Sequence, residues 1–283
     1  MRVIRARVLG FCMGVRRAVD IAFREAAQAE GPVYTIGPLI HNPQALASLK
    51  ERGVKILQEE IPQNLSGAVI IIRAHGIPPC LEEKLRERGG RIVDATCPKV
   101  KTNQLKARAL SEQGHRVFLA GERDHGEIVG IRGYASRCIL VAGREDAGMA
   151  AERLFRDEPD SKTALLGQTT LSISEYESIG EAIRTFFPRL EIIHTICGAT
   201  KDRQEALKEL LGMVETVVIA GGRESANTRR LLAIAEGLGK KAWLVESAAG
   251  IPREVRSYRA VGLSAGASTP DQTIDEIEKT LCL

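Results

Sequence analysis

The stretch Arg91–Gly121, RIVDATCPKVKTNQLKARALSEQGHRVFLAG, decides the fold. Arg91–Ile92–Val93 is a short extended run, Cys97 follows it, and Val100, Leu105 and Ala109 then recur at helical spacing. Phe118–Leu119–Ala120 is a second strand that stops at Gly121. A strand, a cysteine at the turn, a helix and a strand closing on glycine form a βα unit of a parallel sheet.

The pattern occurs twice more, which makes it an internal repeat. Val3 to Leu9 leads to Cys12 and a helical run through Ala18, Val19, Ile21 and Ala22; Tyr34–Thr35–Ile36 then ends at Gly37. Glu191–Ile192–Ile193 leads to Cys197 and a helical run through Ala206, Leu207, Leu210 and Leu211; Val218–Ile219–Ala220 then ends at Gly221. Gly37 lies 25 residues after Cys12, and Gly121 and Gly221 each lie 24 after Cys97 and Cys197. Four residues past each glycine stands a polar side chain suited to an anion: His41, His125 and Ser225. A third strand then delivers His75, Gln168–Thr169–Thr170 or Ser264–Gly266–Ser268. The expected architecture is α/β, three pseudo-threefold-related units with parallel sheets. Functional groups of such units gather beyond the carboxyl ends of the strands, where all these residues fall.

Bulk properties narrow the function. A chain of 283 residues suits two or three domains. The net charge of +4 is mild, and the Arg and Lys residues are scattered among few aromatics, so no nucleic-acid partner is expected. No apolar run reaches the roughly 18 residues that span a bilayer, so no membrane partner is expected either. Met1 to Val8 alternates charged and apolar residues, unlike a signal peptide. The expected location is cytoplasmic, where thiols stay reduced, so six cysteines point to metal ligands, nucleophiles or core filler rather than disulfides.

No two cysteines lie within four positions of each other, which disfavours zinc ribbons and close-spaced ferredoxin runs. Cys12, Cys97 and Cys197 stand at equivalent strand-to-helix junctions, where a helix start favours the metal-binding thiolate. Three thiolates on a cubane [4Fe–4S] cluster leave one iron open, and three on zinc also leave an open position; spacing does not separate the two. Cys138 lies in an apolar strand and is assigned to the core, while Cys80 and Cys282 are incidental. A cation follows each repeat cysteine by four residues, at Arg16, Lys101 and Lys201; these are taken as solvated side chains.

His41, His75, His125, Ser225, Asn227 and Ser268 form a candidate anion site, since imidazoles, hydroxyls and an amide supply donors beside glycine-rich turns. Glu127, two residues past His125, is a candidate proton donor. His115 and His194 lack such placement and are assigned structural roles. No Walker loop or complete dinucleotide glycine fingerprint is present.

These segments resemble the 4-hydroxy-3-methylbut-2-enyl diphosphate reductase family. The matching runs are GFCMGVRRA at 10–18, IHNP at 40–43, RAHG at 73–76, DATCP at 94–98, QTTL at 168–171, TIC at 195–197 with Ala199–Thr200, RQEA at 203–206 and GLSAGAS at 262–268. They cover nearly the whole chain in order. The resemblance implies a trefoil-like arrangement of three α/β domains around a central [4Fe–4S] cluster, one per chain, held by Cys12, Cys97 and Cys197. It implies diphosphate binding by His41, His75, His125, Ser225, Asn227 and Ser268, proton delivery by Glu127, and a place for Thr169 near the substrate hydroxyl. The implied reaction is reductive dehydroxylation of an allylic diphosphate to isopentenyl and dimethylallyl diphosphate, the last step of the methylerythritol phosphate pathway. Reduced ferredoxin or flavodoxin is the implied electron donor. The expected domains are residues 1–96, 97–194 and 195–283, with residues 1–12 able to pack with the third.

Ala226 stands where the family often has a second serine, so no side-chain role is carried onto it; His194 and Gly198 also depart from the family pattern. Two other classes remain open at the level of residues alone. One is an iron–sulfur hydro-lyase of the aconitase type, which would need no external electrons. The other is a non-enzymatic metal or redox sensor.

Overall fold

The computed structural model describes residues 1–57 and 60–283. Its elements begin with β1 (Arg2–Arg5), α1 (Met13–Gln28), β2 (Val33–Ile36), α2 (Pro43–Glu51), β3 (Val54–Leu57), β4 (Val69–Ile72), α3 (Pro79–Glu87) and β5 (Arg91–Asp94). They continue with α4 (Pro98–Glu112), β6 (Arg116–Ala120), α5 (Gly126–Arg132), β7 (Cys138–Val141), α6 (Arg144–Asp157), β8 (Thr163–Gly167), α7 (Ile173–Arg184) and β9 (Glu191–Ile192). The remainder is α8 (Gly198–Leu211), β10 (Thr216–Ala220), α9 (Ala226–Gly237), β11 (Lys241–Val245), β12 (Ala260–Ala265) and α10 (Asp271–Cys282).

The strands form three four-stranded sheets in the orders β3-β2-β4-β5, β7-β6-β8-β9 and β11-β10-β12-β1. The pairings about β4, β6, β8, β10 and β12 are parallel. The order is the same in each sheet, so the three α/β units expected from the repeat are present. In the third sheet the place held by β5 and β9 elsewhere is taken by β1, whose Arg2 to Arg5 pair with Ala260 to Leu263. Arg5 reinforces this closure through ion pairs to Asp275 at 2.8 Å and Glu278 at 2.5 Å on α10.

By contact density the chain divides into two compact units. Residues 1–27, 38–54 and 198–283 form one, and residues 28–37 with 55–197 form the other. In the first, Val217 and Ile219 of β10 face Leu207, Leu210 and Leu231 of α8 and α9. Val218 and Ala220 face the opposite way, toward Ile274 and Ile277 of α10. The second unit repeats this about β6: Val117 and Leu119 meet Leu110, Ile128 and Ile131, while Phe118 and Ala120 meet Ile179 and Ile183. Its other sheet buries Ile70 and Ile72 of β4 against Leu65 and Leu85. Period-two alternation with helices on both faces explains why these strands are apolar throughout. Each fully buried Leu or Ile contributes about 1.5–3 kcal/mol, so the strands anchor their carboxyl-end loops firmly.

Two details depart from the sequence reading. Ser264 lies inside β12 and is fully buried, so of the two serines of that run only Ser268 stands beyond the strand. The small residues of GLSAGAS carry no apolar signal to mark the strand's true end. Extended structure at the start stops at Arg5 rather than Leu9, although Ala6 N–H still donates to Leu263 O at 2.8 Å.

Candidate functional site

Each glycine that ends a repeat's second strand turns the chain with positive φ: +66° at Gly37, +151° at Gly121 and +149° at Gly221. A Cβ on Gly121 would lie 2.6 Å from Ile128 Cδ1, and one on Gly221 would lie 2.7 Å from Thr228 Oγ1. Glycine is therefore required by conformation and by space. The helix that follows is capped each time. Asn42 accepts from Ala45 N–H at 3.0 Å, His125 Nδ1 from Glu127 N–H at 3.3 Å, and Ser225 Oγ from Thr228 N–H at 3.4 Å. The position equivalent to His125 and Ser225 is thus Asn42, not His41. The first turn carries one extra residue, and Pro43 starts its helix, a favoured N1 residue.

The first compact unit carries Cys12, His41, Ser225, Asn227 and Ser268. Cys12 N–H donates to Ala267 O at 3.1 Å, and Cys12 Sγ accepts from Val15 N–H at 3.5 Å in the first turn of α1. Arg203, buried on α8, donates to Gly10 O at 2.6 Å and Ala199 O at 2.7 Å, tying the Cys12 turn to the turn after Cys197 in sequence. Ser268 Oγ donates to His41 O at 3.2 Å and lies 3.4 Å from Ser225 Oγ. Gly222 completes this cluster, since a Cβ there would sit 2.5 Å from His41 O. Asn227 is 5% exposed, and its Nδ2 has no hydrogen-bond partner among the described residues. A buried amide donor left unmet costs about 1–3 kcal/mol, which a ligand acceptor would offset. Ala226 is buried and offers only its backbone, as expected.

The second compact unit carries His75, Cys97, His125, Glu127, Thr169 and Cys197. The His75 and His125 rings meet edge to face with centroids 5.0 Å apart. β6 and β8 end side by side, with Ala120 paired to Gly167, and this brings Glu127 and Thr169 together. Glu127 Oε1 accepts from Thr169 N–H, and Oε2 from Thr169 Oγ1, both at 2.8 Å. Burial pushes the Glu127 carboxyl up to about 7, and the two Thr169 bonds hold it from going higher. Cys97 caps α4, and its N–H donates to Ala74 O at 2.9 Å, beside His75. Cys197 N–H donates to Thr169 O at 3.0 Å. Both cysteines are thereby fixed to loops that bear site residues.

The remaining assignments divide. Burial pushes the Cys138 thiol up to about 12, which agrees with a core role, and Cys80 and Cys282 are exposed. His115 lies 3.6 Å from Glu191, and His194 is exposed. The three cations taken as solvated do stay substantially exposed, and each also meets a carboxylate: Arg16 with Asp271 at 3.0 Å, Lys101 with Asp94 at 3.0 Å and Lys201 with Glu205 at 3.7 Å. Sequence reasoning assigned no role to Arg203 or Asn42. A capping residue directly before Pro43 was a legible signal for Asn42; Arg203 had none, because the partner that ties it to the Cys12 turn, Gly10 O, is distant in sequence.

Fold and side chains together define a three-sheet parallel α/β protein with thiol-bearing strand-to-helix turns and hydrogen-bond donors gathered at strand ends. The family model described as LytB protein matches residues 3–282. The chain belongs to the LytB protein family. The 4-hydroxy-3-methylbut-2-enyl diphosphate reductase of Treponema denticola is 44% identical over 99% of both chains. That of Aquifex aeolicus is 38% identical over 99% of this chain and 95% of its own. The solved E-1-hydroxy-2-methyl-but-2-enyl-4-diphosphate reductase of Plasmodium falciparum covers 98% of this chain and 87% of its own with a TM-score of 0.90; at 24% identity it speaks for the fold. A second solved structure, an (E)-4-hydroxy-3-methyl-but-2-enyl diphosphate reductase described as the terminal enzyme of the non-mevalonate pathway, is 38% identical with a TM-score of 0.71 and covers 100% and 99%. These likenesses favour the reductase over the hydro-lyase and sensor alternatives. No helix among the described residues is long and apolar enough to cross a membrane.

Proposed function

We propose that this chain is a 4-hydroxy-3-methylbut-2-enyl diphosphate reductase acting at the end of the non-mevalonate isoprenoid route. The observation that carries this reading is the buried Glu127–Thr169 pair, in a chain 44% identical to a reductase over its full length. In the reaction the allylic C–O bond breaks and a C–H bond forms. Two electrons and two protons are consumed, water leaves, and isopentenyl or dimethylallyl diphosphate results.

Cys12, Cys97 and Cys197 are the residues that would hold a [4Fe–4S] cluster. Three free cysteines at equivalent strand-to-helix turns support this, as does the backbone N–H that Cys12 Sγ accepts, a bond common at metal-bound thiolates. When bound, such a cluster supplies electrons and an open Lewis-acid iron. The chain's residues do the rest. The family resemblance makes His41, His75, His125, Ser225, Asn227 and Ser268 the diphosphate-binding residues. Glu127 is poised near neutrality and holds the proton that the departing hydroxyl needs, with Thr169 fixing the carboxyl's orientation. Reduced ferredoxin or flavodoxin delivers the electrons, and the enzyme works in the cytoplasm.

Anaerobic reconstitution with iron and sulfide, followed by assay with the allylic diphosphate and a chemical reductant, tests the reading. The expected result is reductant-dependent release of both isomeric diphosphates. Cluster-loaded protein that releases neither isomer would overturn it.

A further inference from the structure

Among the described residues, Arg73 is a cation with no carboxylate in ion-pair contact. It follows β4 and is only partly exposed. Its guanidinium lies flat against two glycines: a Cβ on Gly126 would be 2.6 Å from Nη2, and a Cβ on Gly37 would be 2.7 Å from Nη1. Its Nε donates to Gly76 O at 3.4 Å, a long and weak bond. Burial alone lowers its pKa, with no acid to offset the cost, yet a guanidinium stays charged in proteins.

Charges withdrawn from water are ordinarily paired, because an isolated one is costly. The structure nevertheless builds a place for this one. Gly126 sits between His125 and Glu127, and a Cβ there would have to displace the guanidinium. Arg73 itself precedes His75 by two residues, and the His75 and His125 rings touch. A planar fork of N–H donors matches phosphate oxygens better than any other side chain.

We propose that Arg73 is a further substrate-recognition residue, a fixed positive charge beside His75 and His125 that the diphosphate of the substrate neutralises. The identity of the anion rests on the reductase reading; the need for an anion rests on Arg73 alone. Arg73 thus costs stability in the free protein and returns it on binding, a trade usual at ligand sites.

The test uses cluster-loaded protein under anaerobic conditions, with inorganic pyrophosphate as the calorimetric probe. Arg73→Gln is expected to weaken pyrophosphate about tenfold and to raise KM more than it lowers kcat, at an unchanged or higher thermal midpoint. Arg73→Lys, which keeps the charge but loses the planar fork, should bind pyrophosphate with an affinity between the parent and Arg73→Gln. Unchanged pyrophosphate affinity in Arg73→Gln would overturn the proposal. So would a Lys variant as weak as the Gln variant with a lowered midpoint, since that marks a packing role. If the parent binds pyrophosphate and both variants behave as expected while no allylic diphosphate is reduced, the reductase reading fails and the role of Arg73 stands.

Discussion

Glu127 and Thr169 stand 42 residues apart in sequence and share two hydrogen bonds of 2.8 Å, one from the Thr169 backbone N–H and one from its hydroxyl. A carboxylate satisfied on both oxygens would normally titrate low, and here burial outweighs both bonds. Replacing Glu127 with Gln keeps the shape and removes the acid. Turnover is expected to fall by about 10²–10⁴, with the visible absorption of the cluster intact. Steady-state assay and spectrum of the same sample check this.

The raised pKa also sets a pH dependence. Activity that needs the acid form declines as pH rises through about 7. Stability has the same sign: the folded protein holds a proton that the unfolded chain releases above its ordinary value of 4.5. This contribution is full below that value and is lost as pH climbs through about 7, on the order of 3 kcal/mol at most. Denaturant unfolding at pH 5 and pH 8 should show the decline in the parent and a smaller one in Glu127→Gln.

Thr169→Val removes the hydroxyl bond and leaves the backbone bond. Because the hydroxyl favours the ionised carboxyl, its loss moves the alkaline limb of the rate profile to higher pH. A limb that stays in place, or moves down, contradicts the pairing.

Gly222→Ala tests the His41 cluster. The added methyl would meet a backbone carbonyl rather than a flexible side chain, so His41 must shift. The expected cost is about 1–3 kcal/mol of stability together with weaker pyrophosphate binding, read by denaturant titration and calorimetry.

Single Cys→Ser changes separate the thiols. Replacement of Cys12, Cys97 or Cys197 should cut bound iron and visible absorbance sharply. Replacement of exposed Cys80 should leave both as they are. Iron and sulfide analysis after anaerobic purification decides.

Much of this was legible because the repeat places glycine, cysteine and polar residue at steps that sterics enforce. Gly121 and Gly221 cannot carry a Cβ, so their positions are fixed and readable. Constant spacing fails where one turn has an insertion, and so His41 was matched to a cap that Asn42 fills. The bond between Glu127 and Thr169 was out of reach of local pattern, since it exists only because β6 and β8 end together. The carboxylate partners of Arg16 and Lys101 were hidden similarly, and Arg203 looks like any surface helix cation until its distant carbonyl is seen.

The seating of β1 beside β12 has a consequence for biosynthesis. β1 is made well before β12, so it must wait for that strand to be synthesised before it finds its partner, and the sheet completes late. Until then β1 has no partner strand and is open to mispairing with another nascent chain. A bulky fusion ahead of Met1 should therefore slow maturation and lower yield far more than the same fusion after Leu283.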